Sequence, residues 1–324
     1  MKAIVTTKFG QSPQMAVTSR QHPQLKEGHS LIRMQAATIN QLSNSLRKGT
    51  IGAASPPLVL GNEGSGVVEQ SDRFPAGTRV VIYGGGTLGI TEDGLYQQWA
   101  VVDDSRIFEL PTALTFEEAA ALPVNYLTAY LAATRTAMVK DGQYALVSGA
   151  AGSVGHALVQ VLNALGARPI ALVSTTRKAT HALKAGAYAS IDLSTQELHD
   201  EVARLTDGKG AELAFDPVGG DVTGEMMRSL ATGGLLISIG FTGGQRAEIN
   251  LVDVLVNEKG MRGYTVHAES AHAVRSALQT ILEMAAAEKL KPVIDSSYPM
   301  ESFEEAYTRL TSREAIGSIV VQLS

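Results

Sequence analysis

A glycine-rich turn, Gly149-Ala150-Ala151-Gly152-Ser153-Val154-Gly155, joins a continuous apolar run, Tyr144 to Ser148, to a helical pattern, Ser153 to Leu165. Few features restrict a fold more. Such a turn is informative only where it follows a strand and opens a helix within a βαβ unit, and all three conditions hold here. Gly149 permits the tight turn, Gly152 lets a ligand approach the backbone, and Gly155 lets the helix pack on the strand. The helix N-terminus then offers N–H groups and partial positive charge to a diphosphate. The spacing differs from the commoner GxGxxG, and the bland alternative is a ligand-free loop between strand and helix.

Downstream the pattern keeps alternating. Strands are expected at Pro169 to Val173, Ala189 to Ile191, Leu213 to Phe215 and Leu235 to Ile239. Helices are expected at Arg177 to Ala185, Thr195 to Leu205 and Asp221 to Leu230. Strands apolar throughout, separated by amphipathic helices, indicate a parallel sheet covered on both faces. This predicts a doubly wound α/β dinucleotide-type domain over residues 121–266.

The first third reads differently. Short apolar runs at Met1 to Val5, Ser30 to Met34, Gly66 to Glu69, Arg79 to Tyr83 and Trp99 to Val102 alternate with turn residues, Pro56-Pro57 and Gly84-Gly85-Gly86 among them. Thr115-Phe116-Glu117-Glu118 is a capping box that opens a helix, and Pro123 stops that helix or starts the next, Asn125 to Ala133. Near the other end, Ala271 to Ala287 has helical spacing. Lys291 to Ile294 and Gly317 to Val321 read as strands around a helix, Ser302 to Leu310. The simplest assembly returns this tail to the β-rich part, giving a discontinuous domain of residues 1–120 and 267–324.

A second cofactor determinant lies at the end of the next strand. NAD-binding domains place an acid about 20 residues after the fingerprint, where it bonds the ribose hydroxyls. From Gly155 that region is Leu172 to Thr176, followed by Arg177 and Lys178, and it holds no acid. Hydroxyls at Ser174, Thr175 and Thr176 with the Arg177 cation suit a 2′-phosphate, which predicts NADPH. The alternative is that Arg177 and Lys178 form an ordinary solvated helical turn.

The bulk properties mostly exclude. The 324 residues exceed one ordinary domain, and 44% hydrophobic with 18% charged residues is ordinary for a globular chain. A net charge of −5 without a basic block argues against nucleic-acid binding. The absence of cysteine rules out disulfides, thiolate nucleophiles and sulfur-based zinc sites. No apolar run reaches membrane-spanning length, and the N-terminus reads as a strand rather than a signal peptide, so a cytoplasmic protein without membrane association is expected.

The chain resembles the zinc-independent branch of the medium-chain dehydrogenase/reductase superfamily, and within it quinone oxidoreductases and 2-enoyl thioester reductases. The landmarks are Gly61-Asn62-Glu63-Gly64-Ser65-Gly66-Val67-Val68, Leu122-Pro123-Val124-Asn125-Tyr126-Leu127-Thr128-Ala129-Tyr130, the Gly149 to Gly155 turn, Ala185-Gly186-Ala187, Asp216-Pro217-Val218-Gly219-Gly220 and Gly233-Gly234-Leu235-Leu236. The resemblance implies a GroES-like catalytic domain, a Rossmann domain, and a cleft between them for nicotinamide and substrate. It also implies a homodimer, with Leu251 to Val266 as the candidate pairing segment. Zinc members carry Gly-His-Glu where this chain has Gly61-Asn62-Glu63, and they use cysteine ligands. His22, His29, His156, His181, His199, His267 and His272 show no paired ligand spacing; most are expected at the surface, and no metal site is expected.

The function implied is NADPH-dependent hydride transfer to a small-molecule electron acceptor, a quinone or an activated C=C bond. The alternatives are an enoyl thioester reductase with an altered proton donor and a non-catalytic NADPH sensor. By family position Asn40 lies beside the nicotinamide, and Asn62, Asn125 and Thr128 line the same pocket; turn or cap roles are the plain alternative. Enoyl thioester reductases carry a tyrosine in the loop before Gly-Asn-Glu, but Gln41 to Leu60 contain no Tyr, Asp, His or Glu. The proton then comes from solvent or from Tyr83. Gly240, Phe241, Thr242, Tyr264 and Val266 follow the fifth and sixth strands of the dinucleotide-type domain, where such sheets bind ligand. The cofactor set is thus Asn40, Asn125, Thr128, Gly149, Ala150, Ala151, Gly152, Ser153, Val154, Ser174, Thr175, Arg177, Gly240, Phe241, Thr242, Tyr264 and Val266. The catalytic set is Asn40, Asn62 and Tyr83.

Overall fold

A computed structural model describes residues 1–51 and 54–324. The chain divides into two compact units, residues 1–124 with 267–324, and residues 125–266.

In the first unit, β1 (Lys2–Lys8) pairs antiparallel with β2 (Gln14–Ser19). Next come β3 (His29–Ile39), α1 (Gln41–Arg47), β4 (Leu58–Val59), β5 (Glu63–Ser71), β6 (Arg79–Tyr83), β7 (Trp99–Asp103), β8 (Ile107–Glu109) and α2 (Phe116–Ala120). The chain enters the second unit through α3 (Pro123–Leu131), whose end widens into a π-helical stretch, Ala132–Ala137.

The second unit alternates β9 (Tyr144–Val147), α4 (Ser153–Ala164), β10 (Arg168–Val173), α5 (Thr176–Lys184), β11 (Ala189–Asp192), α6 (Leu198–Leu205), β12 (Ala211–Asp216), α7 (Asp221–Arg228), β13 (Leu230–Ser238), α8 (Leu251–Val256) and β14 (Gly260–Gly263). The tail adds α9 (Ala271–Ala286), β15 (Ile294–Pro299), α10 (Phe303–Thr311) and β16 (Ser318–Gln322) to the first unit.

The second unit is a six-stranded parallel sheet in the order β11-β10-β9-β12-β13-β14. Its central strands are apolar because helices cover both faces: Ala145, Leu146, Val147, Ile170, Ala171, Ala214 and Phe215 are fully buried. Each such Leu, Val, Ile or Phe side chain contributes about 1.5–3 kcal/mol by leaving water. Order and parallelism are those of a Rossmann fold, with the β9 C-terminal end at the reversal of strand order.

The first unit is built on an antiparallel sheet, β3-β5-β6-β8, with β7 also on β3, and with β16 and then β15 continuing beyond β3. A three-stranded sheet, β2-β1-β4, lies in the same unit. The Thr115 capping box forms as expected, its hydroxyl accepting from the Glu118 N–H and the Glu118 carboxylate accepting from the Thr115 N–H.

Two local expectations need correction. The segment Gln41 to Leu60 does not start as a loop, because Asn40 caps α1 through a reciprocal box with Ser43. Gly52 and Ala53 of that segment lie outside the described residues. The strand expected at Lys291 to Ile294 begins at Ile294 and runs to Pro299; backbone pairing with β16 carries it, not an apolar pattern. The candidate pairing segment, Leu251 to Val266, holds α8 and then β14, which is one edge of the sheet.

Candidate active site

In the first unit the site residues line the end of three neighbouring strands. Asn40 follows β3, Glu63 opens β5, and Tyr83 ends β6 as the register partner of Glu63. Glu63 is fully buried. Its Oε1 accepts a short bond from the Thr38 hydroxyl and a 3.1 Å bond from Asn40 Nδ2. Its Oε2 accepts from the Val124 N–H at 2.8 Å. Desolvation nonetheless wins over these three donors and raises the carboxyl from its ordinary 4.5 to about 7.

The folded chain therefore binds this proton more tightly than the unfolded chain. The associated stability is complete below about pH 4.5 and is lost as pH rises through about 7. Glu63→Gln removes the titration. From about pH 5 to about pH 8 the wild type should lose up to about 3 kcal/mol relative to the variant. Urea unfolding of both proteins at the two pH values measures this, and a constant difference would remove Glu63 as the source.

Asn40 is more fully employed than its sequence position suggested. Its Oδ1 accepts from the Ser43 N–H at 2.9 Å while its Nδ2 donates to Glu63. The cap role is the one its geometry shows.

Asn62 sits against the Gly84-Gly85-Gly86 loop. Its backbone carbonyl accepts from the Gly84 N–H at 2.7 Å, and its Nδ2 points at the Gly85 carbonyl at 3.4 Å. Flipping the amide would set oxygen against oxygen, so this orientation is fixed by its neighbour. The side chain is buried, and Oδ1 has no hydrogen-bond partner among the described residues. A buried acceptor left in this way costs free energy until a donor arrives.

Tyr83 is buried beside the same loop, its hydroxyl 3.5 Å from His267 Nδ1 and its ring stacked on the imidazole. Burial, then the negative charges of Glu63 and Glu269, hold its hydroxyl proton above the ordinary tyrosine range. Of the seven histidines only His156 is buried; His22 and His272 are exposed and the other four, His267 among them, are partly exposed.

In the second unit the expected cofactor residues gather at the C-terminal ends of the parallel strands. The glycine turn follows β9, Ser174 and Thr175 follow β10, Gly240 to Thr242 follow β13, and Tyr264 to Val266 follow β14. Gly149 is left-handed, with φ +56°. A Cβ on Gly155 would strike the Gly149 carbonyl group and sit 2.8 Å from the Ala150 Cα. A Cβ on Gly152 would meet only the Gly149 oxygen, at 3.3 Å. Gly155 is thus needed for packing, whereas Gly152 keeps open the space in front of the turn. The α4 N-terminus has no side-chain cap.

Phe241 and Tyr264 line a cavity of about 340 Å³ with Ser238, Ile239, Gly240, Gly263 and Thr265. Phe241 is exposed, while Tyr264 and Val266 are buried. Asn125 and Thr128 are buried on α3, which Tyr126 pins to α4 by a 2.8 Å bond to Gln160. Ser174, Thr175 and Arg177 are exposed. Thr175 caps α5, and Thr176 turns away to bond Asp192 at 3.1 Å. Lys178, which is outside the expected cofactor set, brings Nζ to 3.3 Å from the Ser174 hydroxyl. Its one-turn spacing from Ser174 was the available signal. The other residue missed was Glu63, whose signal was a carboxylate placed directly ahead of the small-residue run Gly64-Ser65-Gly66 of β5.

Among the described residues, no three or more His, Asp or Glu side chains are grouped to hold a metal ion, and no helix is long and apolar enough to cross a membrane.

Residues 26–112 match the alcohol dehydrogenase GroES-like domain, and residues 153–310 match the zinc-binding dehydrogenase family. The chain is 30% identical over 302 residues to the quinone oxidoreductase of Pseudomonas aeruginosa, covering 90% of each protein. Among solved structures it resembles the quinone oxidoreductase of Thermus thermophilus, also solved as its NADPH complex, with a TM-score of 0.86 and 29% identity over 100% of both chains. It also resembles an NAD-dependent alcohol dehydrogenase, with a TM-score of 0.91 and 28% identity over 100% of both chains. With both domain models matched and a relative of this similarity aligned over nearly its full length, the chain belongs to the medium-chain dehydrogenase/reductase superfamily of oxidoreductases, among its quinone oxidoreductase-like members.

Proposed function

We propose that this protein is an NADPH-dependent, metal-independent reductase of quinones or of the activated C=C bond of α,β-unsaturated carbonyl compounds. The observation that carries the reading is the open space at Gly152, bounded by the α4 N-terminus, with the Ser174 hydroxyl and Lys178 ammonium paired at the end of the next strand. The first feature suits a diphosphate and the second a 2′-phosphate.

The residues present fit that cofactor. The turn from Gly149 to Val154 would hold the diphosphate; Ser174, Thr175, Arg177 and Lys178 would hold the 2′-phosphate. Phe241, Thr242 and the cavity beside Tyr264 would hold the nicotinamide ribose, with Asn125 and Thr128 nearer the ring. When bound, NADPH supplies the hydride.

The protein supplies position, a donor to the acceptor oxygen and a proton. The Asn62 Oδ1 can accept from an amide N–H, which suits it to orient a carboxamide. Tyr83 keeps its proton throughout the physiological range and presents it as a donor. Asn40 and Glu63 brace the strand ends that carry these groups. The donor set does not suit catalytic zinc: it contains no cysteine, and Asn62 stands in the Gly-Asn-Glu motif.

Purified protein with NADPH should oxidise it with 1,4-benzoquinone, 9,10-phenanthrenequinone or an α,β-unsaturated ketone, followed at the NADPH absorbance. Tight NADPH binding with no oxidation by these acceptors or by crotonyl-CoA would overturn the reading in favour of a sensor.

The active form is a homodimer paired through the second unit. The strand β14 ends the sheet order, and the adjacent α8 turns Leu251, Val252, Leu255 and Val256 outward, Leu255 being 78% exposed. The Lys259–Asp253 pair at 2.9 Å, with the lysine side chain 2% exposed, pins this helix so that the apolar face stays outward. An unpaired edge beside an apolar patch is a self-pairing surface. Leu255→Lys should convert the dimer to a monomer at micromolar concentration in sedimentation velocity; a monomeric wild type would remove the proposal.

A further inference from the structure

We infer that Val218 is a positioning residue for the cofactor: its two methyl groups tie the Gly149 turn to the loop of residues 240–244, so that the diphosphate and nicotinamide ends are held at a fixed spacing. This rests on the reading of those two loops as part of the NADPH site.

In the sheet β12 lies between β9 and β13, and Val218 stands two residues beyond its end. A Cβ on Gly149 would come 2.8 Å from Val218 Cγ2, and a Cβ on Gly243 would come 2.8 Å from Val218 Cγ1. Each methyl group of one valine thus packs against a different loop, at a place where a glycine leaves room for it.

The backbone of Val218 is fixed from both sides. Asp216 is fully buried. Its carboxylate accepts from the Ser148 hydroxyl at 2.5 Å, the Val218 N–H at 3.0 Å, the Gly219 N–H at 2.9 Å and the Thr223 hydroxyl at 2.6 Å. Turning that carboxylate would leave a buried donor unpaired, so it acts as a rigid anchor. On the other side the Val218 carbonyl accepts from the Gly243 N–H at 2.7 Å.

The two loops differ in what else holds them. The turn has bonds of its own, Gly152 N–H to the Gly149 carbonyl at 2.8 Å and Ala150 N–H to the Leu172 carbonyl at 3.2 Å. The 240–244 loop leans on the segment after β12: Gly240 N–H donates to the Asp216 carbonyl at 3.2 Å, and Gly244 forms a bridge with Gly219. Truncating the Val218 side chain breaks none of these bonds. It removes only the contact that the loops share.

NADPH would touch both loops at once, and a fixed spacing makes the second contact effectively intramolecular. A loose spacing adds an ordering cost on binding. The loss therefore falls on a ligand that spans both loops and spares one that reaches only the turn and Ser174.

The test measures binding by the full chain, with no electron acceptor present. Val218→Ala should weaken NADPH about 10-fold, but should weaken adenosine 2′,5′-bisphosphate, which lacks the nicotinamide end, by less than about twofold. The fluorescence anisotropy of NADPH bound at saturation should fall, because the nicotinamide ring rocks more freely. Val218→Ile, which keeps both branches, should stay within about threefold of wild type for both ligands. Equal losses for the two ligands, or an unchanged NADPH affinity in Val218→Ala, would overturn the inference alone. A wild type that binds neither ligand would overturn the cofactor reading, and the inference with it. Should Val218→Ala fail to fold, Val218→Thr, which keeps one of the two methyl groups, reads the same ratio.

Discussion

Replacing Ser174 with Asp should weaken NADPH binding about 30- to 100-fold and strengthen NADH binding several-fold, shifting the preference by more than about 100-fold. The new carboxylate would stand where the 2′-phosphate is held, and it would also pair with Lys178, whose Nζ is 3.3 Å from the Ser174 hydroxyl. Two unit charges about 4 Å apart repel by about 4 kcal/mol at an effective dielectric near 20. Solvent at this exposed strand end reduces that to about 2–3 kcal/mol. NADH gains because an aspartate can accept from both ribose hydroxyls. Ser174→Ala is the control and should change each affinity only a few-fold. Titration of both cofactors against both variants decides the point; an unchanged ratio in Ser174→Asp would overturn the cofactor assignment. A structural relative is an NAD-dependent enzyme, so the fold alone does not choose.

The second large effect separates two glycines three residues apart. Gly155→Ala should lower the melting temperature by about 5 °C or more, because its Cβ meets backbone and no side chain can yield. Gly152→Ala should melt within about 2 °C of wild type yet bind NADPH at least about 10-fold more weakly. Its methyl group needs only a few tenths of an ångström from the Gly149 oxygen, but it occupies the approach to the turn. Thermal melts with and without cofactor test both: the Gly152 variant should lose the stabilisation by NADPH, not the intrinsic stability. Equal melting losses in the two variants would show that Gly152, too, is a packing glycine.

Much of the second unit was legible because its physics is periodic. Central parallel strands such as β9 and β10 are buried on both faces and must read as apolar runs. The elements missed in the first unit obey no such period. β2, Gln-Met-Ala-Val-Thr-Ser, is largely exposed, with Met15 and Val17 only partly buried against the core, and it pairs with β1. β15, Ile-Asp-Ser-Ser-Tyr-Pro, is an edge strand held by β16. α1 has only two turns and begins at an asparagine that could equally have faced a ligand. For the site, Ser174 and the turn were legible from spacing. Glu63 was not, because Thr38, Asn40 and Val124 are brought to it by a neighbouring strand and the head of α3 rather than by chain neighbours.

The position of β16 bears on the order in which the molecule is made. It is an interior strand, with Ile319 to Gln322 paired against Ile39 to Ala36. During synthesis the second unit, contiguous over residues 125–266, is complete and can close while β3 still presents an open edge. The first unit, begun earlier, must wait for Ser318–Gln322 to leave the ribosome. The half that starts first therefore finishes last, and its nascent edge is the one a chaperone would have to shield.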